Sequence, residues 1–458
     1  MDGTKIMAKS RGEQLVDFIS AAPGRSYPEE VMRAARMAFA DYIALAVACM
    51  DDAAPTAVAA SARSWGASGK STVFRKFRTA PALAAMVNGT STHSQDYDDT
   101  HALGAGHPSG PVWSTVLALT EDLGRTEEEA FTAYITGYEV MAKLASGGPK
   151  GVGRSLQRKG FHPTSIVGRI GSAAAAAVLY RLDRAQTASA LGAAATMAGG
   201  LIGSFGTESK PFHSGVAAMN GILAAQLAQN GFKAATTLFE LDKGLLAAMI
   251  QDGSAEVPTL DDFGSNWEIL QNGFKLYASC RGTHAAIETA TRLRERVAGR
   301  PIRDVTVYTI PHSLITAGKT EVNSGFEGKF SNAFCVAMAL NGYPMMPENF
   351  IDDLLDDGDT VSLFKRTTHK GRDDLPPGSA EIDIALEDGE VLTEMTLATL
   401  GLPTNPIGWD ALERKCLFLL EPVIGADKAA ELFAAAQIID QPGSIAKVLE
   451  IAAPPEGS

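Results

Sequence analysis

Residues 93 to 111, HSQDYDDTHALGAGHPSGP, carry three of the chain's eight histidines and three aspartates. Histidine is the side chain whose unperturbed pKa lies closest to neutrality. A carboxylate beside it fixes its tautomer and steadies its charged form, so the stretch can carry a proton. The same residue types ligate metals, and they also cap ordinary solvated turns. Continued as a helix, HSQDYDDT places His93, Asp96 and Thr100 on one face and turns Asp98 and Asp99 elsewhere. A metal set of His93, Asp96 and His107 lacks the close HxxxH or HxH pair of a strong site, which makes metal the weaker functional option.

Three basic residues each stand one step before a proline: His107 before Pro108, His162 before Pro163 and Lys210 before Pro211. The segments that follow are small and apolar and read as helix starts. Proline suits the first helical turn, where its missing N–H would be unpaired anyway, and it pushes the preceding residue out of helical geometry. Each basic side chain is therefore expected at a helix entrance, beside free N–H donors and the positive end of the dipole. Such an entrance suits an anion and keeps a nearby imidazole neutral. Basic residues before a proline are common at ordinary helix starts too, so the pattern suggests an anion pocket without identifying it.

Long elements must hold these residues. From about residue 10 to 265 the pattern is mainly helical: YPEEVMRAARMAFADYIALAVACM repeats apolar residues at three- and four-residue steps. TEEEAFTAYITGYEVMAKLASG opens with Thr126 as N-cap and acidic residues in its first turn. GSAAAAAVLYRL, AAMNGILAAQLAQNG and the run ASALGAAATMAGGLIGSFG read as buried helices of small side chains whose backbones approach closely. After about residue 270 the texture changes. DVTVYTIP alternates like a strand, and AEIDIALEDGEVLTEMTLATL reads as two strands joined around Asp388-Gly389. SNAFCVAMALNG and PENFIDDLLDD read as helices between them, and NPIGWDALERKCLFLLEPVIG and KAAELFAAAQIID return to helix. The expected fold is mainly α with an α+β part inserted into a helical domain built from both chain ends.

At 458 residues, 45% hydrophobic and 20% charged, the chain can bury a large core and folds as an ordinary globular protein. A net charge of −13 without a lysine or arginine stripe argues against a nucleic-acid partner. An anionic substrate would then need a small local island of positive charge. MDGTKIMAKSRGEQ lacks the apolar core of a signal peptide, and no segment reads as a membrane span. Cys49, Cys280, Cys335 and Cys416 are far apart and show no CxxC spacing. That pattern points to reduced thiols in a cytoplasmic protein, with neither zinc ribbon nor disulfide framework.

Five segments in order, VNGTSTHSQDYDDTHALGAGHPSG, GFHPTSIVG, GTESKPFHSGVAAMNG, FKLYASCRGTHAAIETA and KFSNAFCVAMAL, resemble the MmgE/PrpD family. That family includes 2-methylcitrate dehydratase, cis-aconitate decarboxylase and iminodisuccinate epimerase. The resemblance implies a discontinuous helical domain over residues 1–269 and 404–458, and an α+β lid domain over 270–403. It also implies a homodimer, and catalysis without metal or organic cofactor at a site between domain and lid. Carried over position by position, the site residues are Asp96, Thr100, His107, His162, Lys210 and Lys275. Two positions depart from the family pattern: Phe334 stands where decarboxylase-like members have a tyrosine, and Ala278 where proline is usual. The Thr100–His107 loop is one residue longer than in the decarboxylase.

The implied chemistry is proton transfer at a carbon next to a carboxylate, in which cationic donors stabilise the charge that builds on the carboxyl oxygens. The expected roles are catalysis for His107, Asp96, Lys210 and Lys275, with His107 as acid/base and Asp96 orienting it. Thr100, His162 and Arg281 are expected to bind substrate, with Lys210 and Lys275 sharing that task; a lysine could serve as the base instead. His93, His213 and His284 are expected to be structural, and Phe334 and Tyr277 to pack. The expected reaction is a lyase step on a di- or tricarboxylate, most simply dehydration, with decarboxylation or epimerisation as alternatives. A metal-dependent hydrolase or a non-catalytic carboxylate binder is the reading from a different class.

Overall fold

The computed structural model describes residues 9–104, 106–240, 243–251, 253 and 255–454. Among them are nineteen α-helices and eight short strands, so the protein is mainly α with an α+β part, as expected. Local signals start the helices where the sequence places them. Thr126 caps Glu127–Ala145 through a capping box with Glu129, and Asp183 caps Arg184–Thr196 through one with Gln186.

The helices Pro81–His93, Ser109–Leu123, Pro163–Leu179 and Ser209–Gln229 pack on one another at the centre of the molecule. Small residues make this possible. A side chain at Gly215 would collide with the Met86 carbonyl, and one at Gly137 or Gly171 would collide with the other's carbonyl. The helix Glu29–Ala48 from one chain end and Trp409–Ile424 from the other pack side by side. Lys415 of the latter reaches Asp41 of the former at 2.6 Å and the Tyr97 carbonyl at 2.7 Å.

Between residues 302 and 396 a four-stranded sheet has the order Thr367–Gly371, Ile302–Thr309, Ala380–Leu386, Val391–Thr396. The first pair is parallel and the others antiparallel. Alternate residues of Ala380–Leu386 are buried, with the helix His284–Val297 packed against the sheet. The two strands expected around Asp388-Gly389 are these last two, with Gly389 at φ +95° in the turn.

Two large apolar clusters divide the chain. One draws on residues 15–274 and 407–452, the other mainly on residues 278–392 with Leu45, Cys49, Tyr97 and Leu419. We keep the division at residues 270 and 403 as a proposal, supported by this segregation.

Several sequence expectations are corrected. PENFIDDLLDD forms two 3-10 turns, Pro347–Asn349 and Asp352–Asp356, because most of its acidic residues face solvent and only Phe350 and Leu354 are buried, too few to make a helical stripe. The small-residue helix stops at Thr196, and the following GGLIGSFG is loop and 3-10 turn with Leu201 exposed. The hairpin Ser71–Val73/Phe77–Thr79 and the parallel strand Thr367–Gly371 were not anticipated; both are too short to show a period. Among the described residues no single helix is long and apolar enough to cross a membrane.

Asp41 and Lys415 are both buried, so removing one leaves the other uncompensated. Lys415→Met should lower unfolding stability by about 3–5 kcal/mol. Denaturant unfolding of wild type and variant at equal m-value checks this; a loss under about 1 kcal/mol would show that the pair does not join the chain ends.

Candidate functional site

The four central helices bring one C-terminal end and three N-terminal ends together. His93 closes Pro81–His93, His107 and Pro108 precede Ser109–Leu123, His162 is the N-cap residue of Pro163–Leu179, and Lys210 lies in the first turn of Ser209–Gln229. Lys210 departs from expectation here. It is helical, because Ser209 starts the helix and Pro211 still falls within the first turn, where its missing N–H costs nothing.

The helix ends at His93 rather than running on through the aspartates. Asp96 takes a left-handed conformation, φ +50°, which re-aims the residues beyond it. The expected face is therefore wrong for Asp98. Its Oδ1 lies 2.9 Å from His93 Nδ1 and 3.1 Å from His107 Nδ1. Asp98, not Asp96, is the carboxylate that orients His107. Asp96 Oδ1 instead lies 2.6 Å from Lys210 Nζ and 2.7 Å from Lys275 Nζ, and 3.7 Å from His107 Nε2. Asp99 turns away from the imidazoles and accepts from Ser109 and Asn272.

The remaining predicted residues fall in the same place. Thr100 and His101 pair with Asn272 and Gly273 as a two-residue ladder, pinning the start of the loop. At the loop's other end Thr164 Oγ1 accepts from the His107 N–H at 3.0 Å. Arg281 Nε donates to Thr100 Oγ1 at 3.1 Å, while among the described residues both Arg281 Nη atoms are buried without a hydrogen-bond partner. His162 lies with its ring centroid 6.2 Å from that of His107 and 5.8 Å from that of His93. All seven predicted site residues thus share one region, and the structure adds His93, Asp98 and His213 to it. His213 Nδ1 is 3.0 Å from His162 Nδ1. The signal for Asp98 was its place in YDDT, misread because the helix was extended past its end. Phe334 is fully buried against Phe364, in the cluster formed mainly by residues 278–392, and Tyr277 packs on His284, so neither presents a phenol or ring to the imidazoles.

Burial and charge set the proton inventory. Burial pushes the Asp96 carboxyl up, but Lys210 and Lys275 together outweigh it and hold it well below the usual carboxylate range. Burial likewise opposes ionisation of Asp98, and His107 and His93 reverse the effect. Burial pushes the His107 imidazole down to about 3, with Asp98 opposing, and carries His162 well below its ordinary value. Lys275 is lowered by burial, against the pull of Asp96, and Arg281 is pushed down to about 10 by burial. The result is neutral imidazoles beside ammonium groups, with Lys210, Lys275 and Arg281 outnumbering Asp96 and Asp98. That positive excess is the local island an acidic chain needs for an anion. Lys210 Nζ also sits 4.8 Å from the ring centroids of both Phe205 and Phe330, a dry apolar wall.

His93, Asp96, Asp98 and His107 present nitrogen and oxygen atoms within 4.8 Å of one another, close enough for a metal ion. The donor chemistry points elsewhere, because two ammonium groups already occupy Asp96 and both Nδ1 atoms face Asp98. A cavity of about 620 Å³ is lined by Gln95 and Ser209, the chain neighbours of Asp96 and Lys210, but by none of the cluster's own side chains. It lies where Ser324 and Phe326 of the inserted part meet the helices.

Depressed histidines destabilise the fold in acid. In the unfolded chain an imidazole titrates near 6.5. His107 at about 3, and His213 and His369 at about 4, resist that proton when folded. Their contribution is whole above pH 6.5 and is lost as pH falls toward 4. The melting temperature should therefore drop steadily from pH 6.5 to 4; a flat profile over that window contradicts the burial of neutral imidazoles.

Residues 13–258 match the MmgE/PrpD N-terminal domain and residues 277–441 the MmgE/PrpD C-terminal domain. The chain is 28% identical over 358 residues to the cis-aconitate decarboxylase of Mus musculus, covering 74% of this chain and 72% of that one. It is 25% identical over 401 residues to the cis-aconitate decarboxylase of Aspergillus terreus, covering 81% of each. Both domain matches lie in order along the chain and take in Asp96, His107, His162, Lys210 and Arg281, with Lys275 in the short gap between them: the chain belongs to the MmgE/PrpD family.

Proposed function

We propose that the protein is a lyase acting on a di- or tricarboxylate by moving a proton at a carbon next to a carboxylate, without metal or organic cofactor. The observation that carries this reading is the pairing of neutral imidazoles with buried ammonium groups around Asp96. Lys210, Lys275 and the two unpartnered Arg281 Nη atoms supply donors for the substrate carboxylates, and Thr100 fixes the Arg281 side chain. His107 is the acid/base, with Asp98 holding its Nδ1 and leaving Nε2 free to accept. A bound polycarboxylate adds negative charge beside His107 and raises its basicity. Asp96 keeps Lys210 and Lys275 in place, and His162 completes the wall of the site.

Dehydration uses this inventory most fully. A neutral imidazole removes the proton from carbon, and an ammonium delivers one to the departing β-hydroxyl. The relatives support a second reading, decarboxylation, in which carbon dioxide leaves beside the Phe205–Phe330 wall and an ammonium protonates the carbon. We also place a homodimer contact on Ser209–Gln229, where Phe212 and Leu223 are exposed three turns apart on one face.

Mass spectrometry of citrate, 2-methylcitrate, cis-aconitate and iminodisuccinate with the purified protein separates the reactions: loss of water, loss of carbon dioxide, or deuterium uptake without mass loss in D2O. No change in any polycarboxylate would sink the lyase reading. His107→Ala and Lys210→Ala should each reduce turnover by roughly 10³-fold or more while the fold persists. Arg281→Ala should raise KM by about 10- to 100-fold, as expected for a lost bidentate carboxylate contact. Full turnover after exhaustive chelation is the expected result; lost turnover restored by a divalent metal would favour a hydrolase-type site at His93, Asp98 and His107.

A further inference from the structure

The segment that carries Asp96 is held by ammonium groups from three distant parts of the chain. Lys329 Nζ donates to the Gln95 carbonyl at 3.0 Å, Lys275 Nζ to the Asp96 carbonyl at 2.5 Å and Lys415 Nζ to the Tyr97 carbonyl at 2.7 Å. Three successive carbonyls thus each accept from a different buried lysine. They can point in such different directions because Asp96 is left-handed. That conformation is strained for a residue with a side chain and must be held from outside.

Lys275 contacts the Asp96 carboxylate and belongs to the site already described, and Lys415 is neutralised by Asp41. Lys329 has no such explanation. Among the described residues it forms no ion pair, and both of its hydrogen bonds go to Gln95, to the carbonyl and at 2.7 Å to Oε1. Gln95 in turn donates from Nε2 to Asp52 at 2.6 Å, so its side chain bridges the helical core and the inserted part. Phe326 and Phe350 pack beside the ammonium. A buried lysine without a carboxylate partner is expensive, and burial pushes its pKa down to about 8 against the pull of Asp96 and Asp52.

We propose that Lys329 is a positioning residue: by holding the Gln95 carbonyl and amide from the inserted part, it sets the left-handed turn that aims Asp96 at the lysines and Asp98 at His93 and His107. Two of the three ammonium groups come from the inserted part, so the catalytic turn is complete only when that part is docked on the helices.

The role of the turn in turnover rests on the lyase reading, but its conformation can be measured without substrate. Hydrogen–deuterium exchange of the full-length protein should show backbone amides 94–99 exchanging at least tenfold faster in Lys329→Met than in wild type. Exchange in 284–297 and 380–396 should stay unchanged. Lys329→Arg, which keeps a cationic donor, should restore protection to within about threefold, and Lys365→Met, on an exposed residue, should have no effect. Should Lys329→Met fail to fold, Gln95→Ala removes the side-chain half of the contact and must still raise exchange at least threefold. Unchanged exchange at 94–99, or an equal rise throughout residues 275–400, overturns the proposal. With a substrate in hand, Lys329→Met should lower kcat tenfold or more with KM within about threefold. A loosened turn in a protein that transforms no polycarboxylate would leave the positioning role standing and the lyase reading fallen.

Discussion

The structure depends on one buried carboxylate. Asp96 is 1% exposed and meets Lys210 in the first turn of Ser209–Gln229 and Lys275 from a later part of the chain, both also buried. Removing an ion from water costs several kcal/mol, and only close partners offset it. Here both partners come from distant parts of the chain, so the charge balance at Asp96 is complete only when those parts are packed together. The left-handed backbone of Asp96 adds to this demand, since it persists only where surrounding contacts over-determine it.

Around that centre the same burial acts in opposite directions on different groups. It drives imidazoles toward the neutral form and would drive carboxylates there too, but for the ammonium and imidazole N–H groups that face them. Neutral bases and charged acids therefore coexist within hydrogen-bonding reach. In a solvated cleft the same residues would titrate near their ordinary values and lose the distinction. The cations also outnumber the anions locally, which makes the site an island of positive charge in a chain whose net charge is −13.

Packing of the helices explains how the geometry is held. Glycine at 137, 171 and 215 lets neighbouring helices approach until their backbones nearly touch, and the helix ends then fall within a few ångströms of one another. His93, His107, His162 and Lys210 are rigid because they are attached to those ends rather than to long loops. Between Thr100 and His107, Thr100 and His101 are tied to residues 272–273 and the His107 N–H to Thr164.

Much of this could be read from residue types. The helical periodicity, the alternation in Ala380–Leu386, the capping boxes at Thr126 and Asp183 and the basic residues beside prolines are local signals, each written within a few positions. They were enough to give the fold class and to single out His107, His162 and Lys210, while Lys275 and Arg281 came forward only through the resemblance to the family. Which carboxylate serves which partner was not local. Asp96 and Asp98 are two residues apart and chemically alike, and a single positive φ, at Asp96 itself, reverses their assignment. Lys329 and Lys415 reach the same turn from more than two hundred residues away. Nothing near them in the sequence encodes that contact, because it exists only when three parts of the chain are packed at once. Local propensity determined the helices and their ends; only the tertiary structure, by excluding water from one small region, decided which charges must meet there.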